Sequence, residues 1–140
     1  MIKTSIEDSG YALLCRKAEE ALENAYCPYS KYRVGAAVMT GSGKVYTGCN
    51  IENSSYGASN CGERTAVFNA VSSGERNLTA IAVFTDIGNP PPFPCGICRQ
   101  VLSEFCGGDT PVIVFDGEKS VYNLTLEELL PYSFELKSES

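Results

Sequence analysis

Histidine is missing altogether from this chain of 140 residues. That removes the commonest metal ligand and the commonest general base together, so any chemistry must run on Cys, Asp or Glu, Lys, Tyr or a metal ion. Positive charge is scarce too. The net charge is −6, with no run of basic residues, which argues against a nucleic-acid partner, because phosphate binding rests on clustered Lys and Arg. A small substrate, neutral or positive, suits this balance better than a polyanion. Nor is there an apolar stretch of about 18 residues that could span a membrane, so no membrane partner is expected. Met1-Ile2-Lys3-Thr4-Ser5-Ile6-Glu7-Asp8 lacks the apolar centre of a secretory signal, and a cytoplasmic location follows as the expectation. In that reducing setting the odd count of seven cysteines points to thiols and metal ligands rather than a disulfide framework.

What is present is enough for one folded domain over residues 1–140, with 44% apolar and 20% charged residues, the balance of a chain that encloses a core. Leu14, Ala18, Ala21, Leu22 and Ala25 recur at helical spacing and predict a helix over Tyr11–Tyr26, stopped by Cys27-Pro28. Strands are expected over Arg33–Thr40 and Lys44–Ile51 around the turn Gly41-Ser42-Gly43. A helix over Cys61–Ser73 ends before Gly74, and Leu78–Thr85 reads as a buried strand. The prolines up to Pro94 exclude regular structure, although Pro94 suits the first position of a helix running to Phe105. Pro111–Phe115 and Ser120–Leu124 add two strands, and Leu126–Leu130 a closing helix. The order α-β-β-α-β-α-β-β-α predicts an α/β fold, a three-layer α/β/α sandwich around a mixed five-stranded sheet.

Two segments carry chemistry, Cys61-Gly62-Glu63-Arg64-Thr65-Ala66 and Pro94-Cys95-Gly96-Ile97-Cys98-Arg99-Gln100. Each lies where a loop enters a helix, and free N–H groups at a helix start stabilise thiolates. Cys95 and Cys98 are three apart, so both sulfurs can face one point, and zinc accepts thiolates at about 2.3 Å. With Cys61 that makes three protein ligands, leaving a fourth tetrahedral position for water, as in a catalytic site. Zinc brings such a water to a pKa of around 7, but three thiolates on a divalent cation carry net negative charge and oppose this. Arg64 and the helix starts are the candidates to offset it. Glu63 lies about 200° around a regular helix from Cys61. The two reach one metal only if Cys61 begins its helix; Glu63 can then serve as the catalytic proton shuttle without ligating.

A Cys-x-Glu followed by Pro-Cys-x-x-Cys is the arrangement of zinc-dependent deaminases. Together with Tyr26-Cys27-Pro28-Tyr29-Ser30-Lys31-Tyr32, Val34-Gly35-Ala36-Ala37, Gly48-Cys49-Asn50-Ile51-Glu52-Asn53 and Leu129-Leu130-Pro131, it resembles the cytidine deaminase family, in its small homotetrameric branch with three cysteines. The resemblance implies hydrolysis of cytidine and deoxycytidine to uridine and deoxyuridine with release of ammonia, in pyrimidine salvage. It implies one Zn2+ per chain on Cys61, Cys95 and Cys98, with Glu63 as acid and base. Asn50 and Glu52 match the ribose-binding pair, and as i and i+2 at a strand end they point to one side. Tyr32 stands where the family has Phe in the base pocket, adding a hydroxyl. Gly62 replaces the usual Ala and keeps the N–H that contacts the pyrimidine in relatives. Phe134 matches the aromatic residue that enters a neighbouring subunit's pocket.

Two other readings stand beside this one. The same frame occurs in deaminases of cytosine-containing antibiotics such as blasticidin S, against which the Asn50/Glu52 pair weighs. A structural zinc module that only binds partners would need a fourth protein ligand, for which Cys49 or Cys106 are candidates.

Overall fold

A computed structural model describes residues 1–87, 90–117 and 120–136. Its elements are β1 (Ile2–Thr4), α1 (Ala12–Ala21), β2 (Gly35–Thr40), β3 (Val45–Cys49), α2 (Gly62–Ser72), β4 (Leu78–Thr85), α3 (Gly96–Phe105), β5 (Pro111–Asp116), β6 (Val121–Thr125) and α4 (Leu126–Leu129). The strands form one sheet in the order β1-β6-β5-β4-β2-β3. β4 and β5 pair in parallel, joined by a crossover that contains α3, while the other neighbours pair antiparallel.

Successive side chains of a strand point to opposite faces, and β4 shows what this does here. Ala80, Ala82 and Phe84 face a core with Leu14, Cys15 and Ala18 of α1, together with Ile113 and Phe115 of β5. Ile81 and Val83 face the opposite core with Ala66, Val67 and Ala70 of α2, Leu102 of α3, and Leu126 and Leu129 of α4. A strand covered on both faces reads as a continuous apolar run, hence the clear signal of Leu78–Thr85. The three-layer α/β sandwich is as expected, with α1 on one side and α2, α3 and α4 on the other.

Several details differ from the sequence expectation, among them the end of β3, which stops at Cys49 rather than Ile51. The sheet has six strands rather than five. The added strand, β1, is three residues long and largely exposed, so it has no alternation to reveal it; it exists by pairing with β6, Lys3 opposite Tyr122. The first helix stops at Ala21 and tightens into a 3-10 turn over Leu22–Asn24, because Tyr26 is drawn into a bridge with Ile51. Arg33 and Val34 precede β2 rather than opening it. Pro94 is not helical: α3 begins at Gly96 with Cys95 as its N-cap.

Two helices approach the sheet through positions where only hydrogen fits. A Cβ on Gly35 would lie 2.2 Å from the carbonyl oxygen of Ala18, and one on Gly48 would lie 2.3 Å from the nitrogen of Ala66. The second contact sets α2 against β3 and so fixes where Cys61 falls. Gly48→Ala is expected to destabilise the fold by about 2 kcal/mol or more, the scale of overpacking against backbone. Gly57→Ala, which meets nothing within 4 Å, is expected to change stability by less than about 0.5 kcal/mol. Urea denaturation of the two variants checks the contrast.

Candidate metal centre

The starts of α2 and α3 meet on one face of the sheet. Cys61 and Cys95 are the N-cap residues of these helices, both in extended backbone (φ −74°, ψ 154° and φ −70°, ψ 169°). Their carbonyls accept the first helical bonds, from Thr65 N at 3.0 Å and Arg99 N at 2.9 Å, but neither side chain caps its own helix. Both sulfurs are thus left to turn toward a common point, as Glu63 requires if it is to share a metal with Cys61. Cys98, in the first turn of α3, supplies the third from a fully buried position.

The three Sγ atoms lie within 4.8 Å of one another, and those of Cys61 and Cys95 are 3.8 Å apart. Bonds of about 2.3 Å to a tetrahedral zinc would separate two sulfurs by about 3.8 Å. The donor set therefore fits zinc in number, softness and spacing. Among the described residues no fourth Cys, Asp or Glu joins the cluster; Cys49 and Cys106 lie outside it, which removes the closed shell that a purely structural site needs.

Charge around the sulfurs is unequal. The Cys61 thiol is pulled down to about 5, by a hydrogen bond from Cys98 and, against the opposing effect of burial, by Arg64. Arg64 Nη2 donates to Cys61 Sγ at 3.3 Å. Cys98 is pushed up because it donates to Cys61 and is itself buried beside the Glu63 carboxyl. Glu63 is 5% exposed, and burial pushes its carboxyl up to about 7, helped by the charge of Cys61 and opposed by a hydrogen bond from Cys98. A carboxyl titrating near neutrality is suited to moving protons in both directions.

Cys61, Gly62, Glu63 and Cys95 form the floor of a cavity of about 460 Å³. Its walls are Ser30, Tyr32, Val34, Asn50 and Glu52 on one side and Pro90, Pro91, Pro92 and Phe93 on the other. Tyr32, Asn50, Glu52 and Gly62 are thus brought to the cysteines. A Cβ on Gly62 would come 3.1 Å from the carbonyl oxygen of Val34, so the pocket is tight against this turn. The Asn50 amide donates to the carbonyl of Tyr32 at 2.7 Å and accepts from Val34 N at 2.9 Å. Glu52 accepts from the backbone of Tyr29 and Ser30 at 3.0 and 3.1 Å and from the Ser30 hydroxyl. These bonds hold the carboxylate below its usual range. Phe134 is not in this cavity; it is 66% exposed, with its carbonyl held by Gln100 Nε2 at 3.0 Å.

Sequence reasoning passed over two contributors. The proline run reads only as irregular structure, yet it is a wall of the cavity; its position just before Cys95 was the available signal. Arg99 bridges the carbonyls of Pro94 and Leu129, both at 2.7 Å, and nothing in its spacing announces that.

Residues 9–115 match the family model for the cytidine and deoxycytidylate deaminase zinc-binding region. The chain belongs to this family. It is similar to a cytidine deaminase of Halalkalibacterium halodurans, 48% identical over 122 residues that cover 87% of this chain and 92% of that one. The crystal structure of cytidine deaminase from Burkholderia pseudomallei has the same fold, with a TM-score of 0.84 at 43% identity over 89% of this chain and 98% of that one. A blasticidin-S deaminase of Bacillus cereus is a more distant relative, 28% identical over 75% of this chain and 79% of its own length.

In the metal-free protein the low pKa makes Cys61 largely thiolate at pH 6. Arg64→Ala removes a donor and a positive charge from that sulfur, so its pKa should rise and its thiolate fraction fall. Alkylation of Cys61 at pH 6, followed by peptide mass spectrometry, is expected to slow by about fivefold; an unchanged rate would mean that Arg64 does not act on this thiol.

Proposed function

We propose that this chain hydrolyses cytidine and deoxycytidine to uridine and deoxyuridine, releasing ammonia, with one zinc ion per chain on Cys61, Cys95 and Cys98. The observation that carries the reading is a cluster of three thiols of which Cys61 and Cys95, with the buried carboxyl of Glu63, form the floor of a cavity. A volume of about 460 Å³ falls within the usual range for small-molecule sites. When bound, zinc acts there as a Lewis acid that makes a water nucleophilic at neutral pH.

The chain's own groups do the rest. Glu63 takes a proton from the attacking water and delivers it to N3 of the pyrimidine as the oxygen bonds to C4; it then takes the second proton from that oxygen and passes it to the 4-amino group, whose bond to C4 breaks to release ammonia. Arg64 draws charge from Cys61. The backbone N–H of Gly62 offers a donor to the pyrimidine O2, and the ring of Tyr32 packs against the base. Asn50 retains one amide hydrogen and one lone pair beyond its backbone bonds, and Glu52 is an ionised acceptor; together they suit ribose hydroxyls. Tyr132, Phe134 and Leu136 are large, exposed side chains close together in sequence, which supports a homotetramer in which Phe134 enters a neighbour's pocket. No helix among the described residues is long and apolar enough to cross a membrane, in keeping with a cytoplasmic role in pyrimidine salvage.

Glu63→Gln keeps the shape and removes the titrating carboxyl. It is expected to retain one zinc per chain by metal analysis while the turnover of cytidine falls about 10³-fold; retained activity would overturn the role given to Glu63. Wild-type protein offered cytidine and blasticidin S in parallel is expected to deaminate the nucleoside. Deamination of the antibiotic alone would replace this substrate assignment with the other.

A further inference from the structure

We propose that Tyr122, in contact with both Phe93 and Lys3, is a positioning residue that holds the proline-rich wall of the cavity in place, an inference that rests on the deaminase reading above. The wall has little backbone to hold it. Pro90, Pro91, Pro92 and Pro94 have no N–H to donate, and none of residues 90–94 lies in a helix or strand. Phe93 N bonds within the segment, to the carbonyl of Pro91 at 2.8 Å. Among the described residues, one side-chain hydrogen bond and one ring contact tie it to other elements: Arg99 at the carbonyl of Pro94, 2.7 Å away, and Tyr122, whose ring centroid lies 5.8 Å from that of Phe93 at an interplanar angle of 54°. Phe93 is itself a wall residue of the cavity.

Tyr122 is held in turn. It sits on β6 opposite Lys3 of β1, and Lys3 Nζ lies 5.6 Å from its ring centroid, within reach of a cation–π attraction. It also packs on the core formed with α2, α3 and α4. No hydrogen bond of its hydroxyl is found among the described residues, so the ring does the holding. Strand β1 thereby gains a role, since it brings a cation to the same ring that meets Phe93 of the cavity wall. Lys3 and Tyr122 both lie outside residues 9–115, the stretch shared with the family model.

A brace of this kind sets how well the cavity fits its ligand before any chemistry, so its loss should appear in KM rather than kcat. Tyr122→Leu is expected to raise KM for cytidine by about fivefold, the scale of one aromatic pair, with kcat within about twofold and zinc content unchanged. Tyr122→Phe, which keeps the ring, should restore the wild-type KM. Phe93→Leu, on the loop itself and free of any risk to the sheet, should reproduce the rise, and the double variant should be no worse than either single one. Amide hydrogen exchange supplies a readout independent of substrate: at Phe93 and Cys95 it should quicken in Tyr122→Leu and not in Tyr122→Phe, with β4 and β5 unchanged. Wild-type exchange at Phe93 and Cys95 in Tyr122→Leu, additive single effects, or a fall in kcat at constant KM would each overturn the brace. If the wild-type protein does not deaminate cytidine, the proposed function fails, and the exchange comparison still decides the brace.

Discussion

Everything at this site depends on two cysteines standing just outside their helices. An N-cap residue has extended backbone and so points its side chain across the helix start. Cys61 and Cys95 both use that freedom for a sulfur rather than for capping, leaving N–H groups at each helix start aimed at the place where negative charge collects. The close approach of Gly48 to Ala66 then becomes a functional contact, because it sets the height of α2 against the sheet. The parallel pair β4 and β5 sets α3 through the crossover between them. Two helices on one face of a sheet normally meet along their sides; here their starts also converge, and the metal site occupies the convergence.

The opposite wall of the cavity follows a different logic. The side chains of Asn50 and Glu52 both make their hydrogen bonds to residues 29–34, a segment that includes Lys31 in the left-handed region at φ 60°. That backbone needs outside support to persist, and the two polar side chains supply it. The groups suited to a sugar therefore also hold the wall that carries Tyr32. Preorganisation follows, since a ligand contacting Asn50 or Glu52 meets side chains already fixed by the chain itself.

Much of this was legible in the sequence because the informative residues are governed by local rules. The apolar run of β4 and the pairing of Cys-x-Glu with Cys-x-x-Cys are patterns of spacing, and spacing survives folding. Ile2-Lys3-Thr4 had no pattern of its own, since an edge strand of three residues exists only through its partner. Pro94 was misplaced by two positions because proline suits both the first helical residue and the loop before it, and the demand of Cys95 for an extended N-cap decided between them. The partners of Asn50 and the bridge made by Arg99 are tertiary hydrogen bonds, to residues whose proximity no local rule encodes. The amide of Asn50 reads equally well as a ligand for sugar or for backbone until the chain is folded.

Glu63 shows how opposing effects set the proton affinity of one carboxyl. A carboxylate in the first turn of a helix is ordinarily favoured by the dipole, which would make it a stronger acid. Here burial outweighs that, and the carboxyl is pushed up to about 7. Three thiols beside it sharpen the conflict, because Cys61 ionises readily and its charge opposes a second one nearby. Without a cation, then, the site keeps protons on groups whose chemistry requires them to be given up, and Cys98 is pushed up while Cys61 is pulled down. A divalent ion resolves the conflict by favouring the thiolates together, so metal binding and proton release are coupled there. The ion would also act on folding, since free energy gained by binding the native state alone adds to its stability. The same crowding of acidic groups gives the site a donor set that suits zinc, and Arg64, bonded to the Cys61 sulfur, offsets part of the negative charge there.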